Sequence, residues 1–174
     1  MAAQSTYTLI NSYTGASNIS DISFSNIPQN YTDLLIVVYG ASTYSASNLQ
    51  VSVYLNGDYS SSLHSYTYLR ANGSAVASSR GTNSNQMYLG IIPAASSTGI
   101  FGTAILNILN YSNTTTYKTM LSSSAADLNG SGSVDISVSM YQSTSPVTTV
   151  NVATYGSGNW TTGSRISLYG IQAA

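Results

Sequence analysis

Hydrophobic and polar residues alternate along most of this chain with a period of two, which is typical of β-strands that have one buried face. Residues 49–55 place both valines and Leu55 on one face and Gln50, Ser52 and Tyr54 on the other. No long window has the 3.6-residue spacing of an amphipathic helix. The pattern therefore predicts an all-β protein.

Residues 133–141 show the alternation most regularly. We expect the apolar residues of this strand to face the core and the polar residues to face solvent, because burial of apolar area drives folding. The inward set is Val134, Ile136, Val138 and Met140, and the outward set is Asp135, Ser137 and Ser139.

The pattern predicts about ten strands with Gly, Asn and Ser turns between them. Residues 33–39 form a continuous apolar run, which favours burial on both faces or a central position in a sheet. Residues 59–85 are rich in Ser, Tyr and Asn and predict a long loop or a pair of short, irregular strands. The other predicted strands are residues 5–10, 21–24, 49–55, 86–92, 99–110, 116–121, 133–141, 147–153 and 164–171.

Many short strands at close spacing are typical of a sandwich or a barrel. We expect a single-domain antiparallel β-sandwich of about eight to ten strands, jelly-roll-like, over residues 14–174. Residues 1–13 contain no charged side chain. They are a candidate N-terminal docking arm, because an uncharged polar terminus can pair with an exposed strand edge of a neighbour.

Charge is almost absent from this chain. Lys and Arg together number four and Asp numbers five, so charged residues are 5% of the 174, against about 25% in an average domain. Four scattered cations do not form the basic patch that binds phosphates, so we expect no nucleic-acid partner. Cysteine is absent, which excludes disulfides and thiolate metal sites. Every apolar run is far shorter than the roughly 20 residues that span a bilayer, so no membrane partner is expected.

Groups for acid–base or metal chemistry are also few. His64 is the only histidine, and we interpret it as an exposed loop residue that packs against tyrosines, since nothing near it forms a nucleophile elbow. Residues 127–132 resemble a calcium loop but lack its further carboxylates, so we interpret them as a hairpin turn with an Asx hydrogen bond. We predict no cofactor, no metal site and no enzymatic activity.

Tyrosine is the residue type that points to a function, with fifteen copies. Tyrosine adds contact area at low entropic cost, which suits binding interfaces, although most of the fifteen are expected to be ordinary strand residues. Three of them are close in sequence to Arg70, and the candidate arm contributes two more. The candidate partner-contact residues are Tyr7, Tyr13, Tyr59, Tyr66, Tyr68 and Arg70.

Four segments of the chain carry a resemblance to known proteins: residues 24–34 (FSNIPQNYTDL), 55–58 (LNGD) with the Ser/Tyr-rich stretch after it, 107–114 (NILNYSNT) and 163–171 (GSRISLYGI), the last being the most specific. Together they resemble a family of small virion structural proteins of tailed bacteriophages. The resemblance implies a β-sandwich protein, often trimeric, that decorates the capsid, forms a head fibre or associates with the tail. It brings no catalytic residues to this chain.

The expected function is capsid decoration: a cement protein that binds capsid subunits non-covalently on the particle surface, after assembly in the host cytoplasm. The expected partners are the major capsid protein or other virion proteins, with a homotrimer as the assembly. One alternative is a tail-fibre or receptor-binding module that recognises host cell-surface polysaccharide through residues 59–85. A second alternative is a glycan-cleaving enzyme, against which the scarcity of carboxylates argues. The chain lacks the repeats and heptads of a fibre shaft, which favours decoration.

Overall fold

The computed structural model describes residues 6–15, 19–60, 62–94, 99–156 and 158–172. These residues form twelve β-strands and no helix, so no helix among them could cross a membrane. The strands are β1 (Tyr7–Thr14), β2 (Asp21–Phe24), β3 (Asp33–Gly40), β4 (Asn48–Leu55), β5 (His64–Ala71), β6 (Val76–Ser84), β7 (Met87–Pro93), β8 (Gly102–Leu109), β9 (Lys118–Asp127), β10 (Gly132–Tyr141), β11 (Val150–Thr154) and β12 (Arg165–Ile171).

The strands form two antiparallel sheets. The larger has the order β1-β12-β3-β8-β9-β10-β5-β6, and the smaller has the order β2-β11-β4-β7. Side chains from both sheets meet in one hydrophobic core. The prediction of a single antiparallel β-sandwich is therefore confirmed.

Eight of the strands have the pairing of a jelly roll. Strands β1, β2, β3 and β4 pair with β12, β11, β8 and β7 respectively, as in an antiparallel ribbon that is rolled up on itself. The other four strands are two inserted hairpins, β5–β6 and β9–β10, which extend the larger sheet beyond β8. Residues 59–85 thus contain two strands of eight and nine residues. These two strands bring the total to twelve, whereas eight to ten were expected.

The core lies between the jelly-roll strands of the two sheets. Trp160 closes it beside Gly40, where an added Cβ would lie 3.1 Å from the indole ring. The inward face predicted for residues 49–55 is confirmed, because Val51, Val53 and Leu55 of β4 are buried. Buried core residues include Leu34, Ile36, Val38, Val51, Val53, Leu106, Ile108, Val150, Val152, Ile166 and Leu168.

The apolar run at residues 33–39 is buried on one face and not on both. Leu34, Ile36 and Val38 point into the core, whereas Leu35 and Val37 are half-buried on the other side of β3. The smaller sheet covers only the inner side of β3, so no second layer covers the outer side among the residues that the structure describes.

Strand β10 faces the opposite way to the prediction. Asp135, Ser137 and Ser139 are buried, and Val134, Ile136 and Val138 are exposed, Ile136 to 60%. Met140 is half-buried on the same exposed side. The expectation that the apolar residues of this strand face the core is therefore wrong.

The crossing of β7 over β9 and β10 explains the reversal. β7 is the edge strand of the smaller sheet, and three serines of β9 and β10 donate hydrogen bonds to its Tyr88 carbonyl at 3.0 to 3.4 Å. The Ile91 amide donates to the Ser124 hydroxyl at 3.1 Å. A Cβ at Gly90 would lie 2.2 Å from that hydroxyl, so larger side chains do not fit. Small hydroxyl residues satisfy the edge of β7, because a buried backbone group needs a partner, and the apolar side of β10 turns outward.

Most of the candidate docking arm is part of the sandwich. Residues 7–14 form β1, which pairs with β12 along its length, and the side chains of Ile10 and Tyr13 pack against the core. The predicted boundary after residue 13 therefore falls inside a strand, and residues 1–5 lie outside the described residues. Docking of this segment on a neighbour stays a prediction.

Candidate partner-contact site

Three of the candidate residues, Tyr66, Tyr68 and Arg70, lie on one side of β5, because alternate residues of a strand share a face. The rings of Tyr66 and Tyr68 have centroids 6.3 Å apart, and the Arg70 guanidinium carbon lies 5.3 Å from the centroid of the Tyr68 ring. These residues were expected in a loop or an irregular strand. A regular strand instead holds them in a row.

A buried ion pair fixes the position of Arg70. Its Nε and Nη2 atoms donate to the two carboxylate oxygens of Asp135 at 2.8 and 3.0 Å. Nη2 also donates to the hydroxyl of Tyr88, which in turn donates to Asp135. Asp135 is 1% exposed, and a buried carboxylate needs such partners. The bidentate geometry fixes the plane of the guanidinium group.

Tyr88, on β7 of the smaller sheet, packs its ring against Tyr66 and Tyr68, and a second pair of tyrosine rings lies nearby. Its ring centroid lies 4.7 Å from that of Tyr68 and 5.7 Å from that of Tyr66. The Tyr54 and Tyr59 rings are 4.4 Å apart, and Tyr155 interacts electrostatically with both Tyr54 and Tyr66. The tyrosine cluster, as we call it, consists of Tyr54, Tyr59, Tyr66, Tyr68, Tyr88 and Tyr155.

Amide and carboxylate groups surround the tyrosine cluster. The Tyr59 hydroxyl donates to one carboxylate oxygen of Asp21 at 2.6 Å. The side-chain amide of Asn151 donates to the other carboxylate oxygen at 3.1 Å. The Tyr54 hydroxyl donates to the Gln86 amide oxygen at 3.3 Å. Tyr59 and Tyr155 are about half exposed. The cluster thus presents ring faces beside anchored hydrogen-bonding groups.

The electrostatics of the cluster favour binding over proton transfer. Burial and the hydrogen bond with Asp135 raise the pKa of Tyr88, and the hydrogen bond with Asp135 raises the pKa of Arg70. Burial and the hydrogen bond with Asp21 raise the pKa of Tyr59. These phenols are therefore neutral and Arg70 is charged at physiological pH. Tyr59 offers an exposed ring face and Arg70 a cation.

Comparison of the chain with protein-family models, curated proteins and solved structures found no match. Among the described residues, no group of three or more His, Asp or Glu side chains is placed to hold a metal ion.

Tyr7 and Tyr13 lie far from the tyrosine cluster. They are on β1, six strand positions from β5 in the larger sheet, which is about 29 Å at the usual strand spacing. Tyr13 packs against the core, and Tyr7 is exposed beside Leu35 and Val37 on the outer side of the sheet. The six candidate residues are thus divided between two regions of the molecule.

Sequence reasoning missed the members of the site that come from other strands. Alternation in residues 49–55 puts Tyr54 on the polar side of β4, and this signal could have added it to the candidate set. No comparable signal joins Tyr88 or Asp135 to Arg70. These residues lie on β7, β10 and β5, and the sequence does not show that these strands meet.

His64 is not the exposed loop residue that we expected. It begins β5 and is fully buried, with its ring stacked on that of Tyr141 at 5.0 Å between centroids, so the expected contact with tyrosine is confirmed. Neither ring nitrogen makes a well-formed hydrogen bond among the described residues, although the backbones of Ser60 and Ser84 lie nearby. Burial lowers the pKa of His64, and the charge of Asp58 partly opposes that effect.

Residues 127–132 form the turn of the β9–β10 hairpin. The backbone amide of Asn129 donates to the carboxylate of Asp127 at 2.9 Å, so the predicted Asx hydrogen bond is confirmed. Asn129 has a φ of 56°, a left-handed conformation that asparagine adopts readily.

Proposed function

We propose that this protein is a structural protein of a tailed-bacteriophage virion that decorates the capsid and cements it by non-covalent binding to capsid subunits. The observation that carries the proposal is the tyrosine cluster with Arg70, a set of aromatic and guanidinium groups of which all but Tyr59 and Tyr155 lie on strands. The four segments that resemble phage virion proteins suggest the particle, and the cluster suggests how the chain binds to it.

The composition of the cluster is that of a strong contact surface. Tyrosine and arginine are enriched among the residues that dominate binding energy, and groups that are already positioned lose little entropy on binding. The ion pair to Asp135 and the contacts of Tyr88 supply that positioning here. A homotrimer, the assembly we expect, presents three such surfaces, and simultaneous contacts multiply their effect.

Reconstitution on particles that lack this protein tests the proposal. Purified chain is added back, and bound copies per particle are counted by quantitative mass spectrometry. The double variant Tyr59→Ser with Tyr155→Ser should bind roughly tenfold or more weakly, since each ring at such a surface contributes about 1 kcal/mol or more. The matched control is Tyr117→Ser, a tyrosine equally exposed at the β8–β9 turn, which should leave binding unchanged. Equal affinity of the double variant and the control would contradict the proposal.

A receptor-binding module for host polysaccharide is the second candidate. Tyrosine rings that lie beside Asp21, Gln86 and Asn151 favour it, because sugars stack on aromatic faces and bond to carboxylates and amides. A glycan array with the purified chain and a count of copies per native particle distinguish the two. Glycan binding that Tyr59→Ser abolishes, with only a few copies per particle, would replace decoration by receptor binding.

A further inference from the structure

The outer side of the eight-stranded sheet is apolar at its centre. Six large side chains there are between 40% and 60% exposed. They are neighbours across the strands, because Ile136 is opposite Leu69, and Val138 is opposite Leu121. The outer apolar face, as we call this surface, consists of Leu69, Ile105, Leu121, Val134, Ile136 and Val138.

The size of this side of the sheet is that of a stable protein interface. Eight strands at about 4.8 Å spacing, each of about eight residues at about 3.3 Å, span roughly 1,000 Å². A standard interface takes about 800 Å² from each partner. The side as a whole is therefore wide enough to be covered by a partner of similar breadth.

The charges on this side of the sheet lie only at its margins. Among the described strand residues they are Asp33 and Arg165, which begin β3 and β12, Asp127, which ends β9, and Arg80 on the edge strand β6. The interior positions of the sheet carry no charge on this side. A contact between copies buries the interior positions of this side, where an unpaired charge would be costly, and these positions carry none.

We infer that the outer apolar face is covered by a second copy of this chain. The chain has a net charge of −1, and an exposed face of this kind on a nearly uncharged protein promotes aggregation before any particle is available. Another copy is present wherever the chain is made. Apolar interfaces of this kind are also typical of permanent homo-oligomers. One facing copy covers the face in a dimer, and two neighbours share it in a trimer. The inference does not depend on the virion role.

Light scattering and sedimentation equilibrium on the purified chain test the inference. The wild type should be a dimer or trimer, and Ile136→Lys should be a monomer with an unchanged β-sheet circular dichroism spectrum, because lysine at this exposed position faces solvent in the monomer. The matched control is Ile19→Lys, an exposed isoleucine that precedes β2 of the smaller sheet, and it should keep the wild-type mass. A monomeric wild type, or an Ile136→Lys variant that stays oligomeric, would overturn the inference.

Thiol labelling gives a second measurement that does not require the lysine variant to fold. The chain has no cysteine, so Ile136→Cys and Ile19→Cys each introduce one thiol. In the free protein, the thiol at position 136 should react with a maleimide roughly tenfold more slowly than the thiol at position 19, since it is accessible only in dissociated chains. Equal rates would contradict self-association. Protection at position 136 that appears only on reconstituted particles would assign the face to the capsid instead.

Discussion

His64 is the first residue of β5, and its ring is fully buried and stacked on that of Tyr141. Because burial lowers its pKa below the ordinary value of about 6.5, the ring is neutral in the folded protein at neutral pH. Asp58, which accepts a hydrogen bond from Tyr141 at 3.3 Å, is the charged group whose field acts on the ring. The stability of the start of the inserted β5–β6 hairpin therefore depends on pH through this residue.

We expect the free energy of unfolding to decrease as the pH is lowered, because of His64. The folded-state pKa lies below that of the unfolded chain, so the unfolded chain binds the proton first as the pH drops below about 6.5, and up to about 1.4 kcal/mol is lost per pH unit until the folded-state pKa is reached. His64→Phe keeps a ring against Tyr141 and removes the only histidine. Urea unfolding near neutral pH and near pH 5 should show a smaller loss for this variant.

Tyr141→Phe is the control for the histidine experiment. It keeps the stacked ring and removes only the hydroxyl that contacts Asp58, so it should retain the pH dependence of the wild type. Identical pH dependence in His64→Phe and the wild type would mean that other groups titrate in this range.

At the scale of strands, β10 shows what alternation predicts and what it leaves open. A period of two identifies the strand and sorts its residues into two sets. Both predictions are correct, because residues 134–141 pair with β5 on one side and with β9 on the other. Which set faces inward depends on the neighbouring layer. Here β7 crosses β10 so closely that Ser137 and Ser139 donate to the Tyr88 carbonyl, a fact that residues 133–141 do not contain.

Strand β1 carries the prediction at this scale. Deleting residues 1–13 removes the partner of β12 and the contacts of Ile10 and Tyr13 with the core. We expect a loss of about 3 kcal/mol, or a fall in Tm of about 10 °C by circular dichroism. Leu9→Thr, which changes an exposed residue of the same strand, should shift Tm by no more than about 1 °C. An unchanged Tm after the deletion would show that the segment is a peripheral arm, as the sequence suggested.

The candidate site could be predicted from the sequence only within single strands. Tyr66, Tyr68 and Arg70 have the spacing that places them on one face, and the structure shows them together. Tyr88 and Asp135, which hold Arg70, come from strands 18 and 65 residues away. Such pairings depend on how the ribbon rolls up, and local composition carries no record of that.

At the scale of the whole molecule, the β5–β6 hairpin is an insertion into the jelly roll. Neither of its strands contributes a residue to the hydrophobic core cluster, whereas it carries Tyr66, Tyr68 and Arg70. The chain leaves β4 through Asn56 and Gly57, both with positive φ, and the Asp58 amide donates to the Leu55 carbonyl at 3.0 Å. These are the features of a type I′ turn, the turn that joins adjacent antiparallel strands.

The register of β4 and β7 makes the insertion removable. Val53 pairs with Met87, so Leu55 and Asn85 stand opposite one another if the ladder continues. Joining Gly57 directly to Asn85 therefore leaves Asn56 and Gly57 as a two-residue turn between β4 and β7. Asp135 would lose Arg70 in this deletion, so the variant also carries Asp135→Ser, which matches the serines beside it on β10.

We expect the chain without residues 58–84 to fold, as judged by a single cooperative thermal transition and a β-sheet circular dichroism spectrum. It should fail to bind particles, because the deleted segment carries Arg70 and half of the tyrosine cluster, namely Tyr59, Tyr66 and Tyr68. It should still self-associate, because Ile105, Leu121, Val134, Ile136 and Val138 remain on the outer side of the sheet. Full-length Asp135→Ser is the control for the accompanying substitution. A chain that unfolds without the hairpin would make β5–β6 part of the domain core, and a folded chain that still binds particles would move the contact away from the tyrosine cluster.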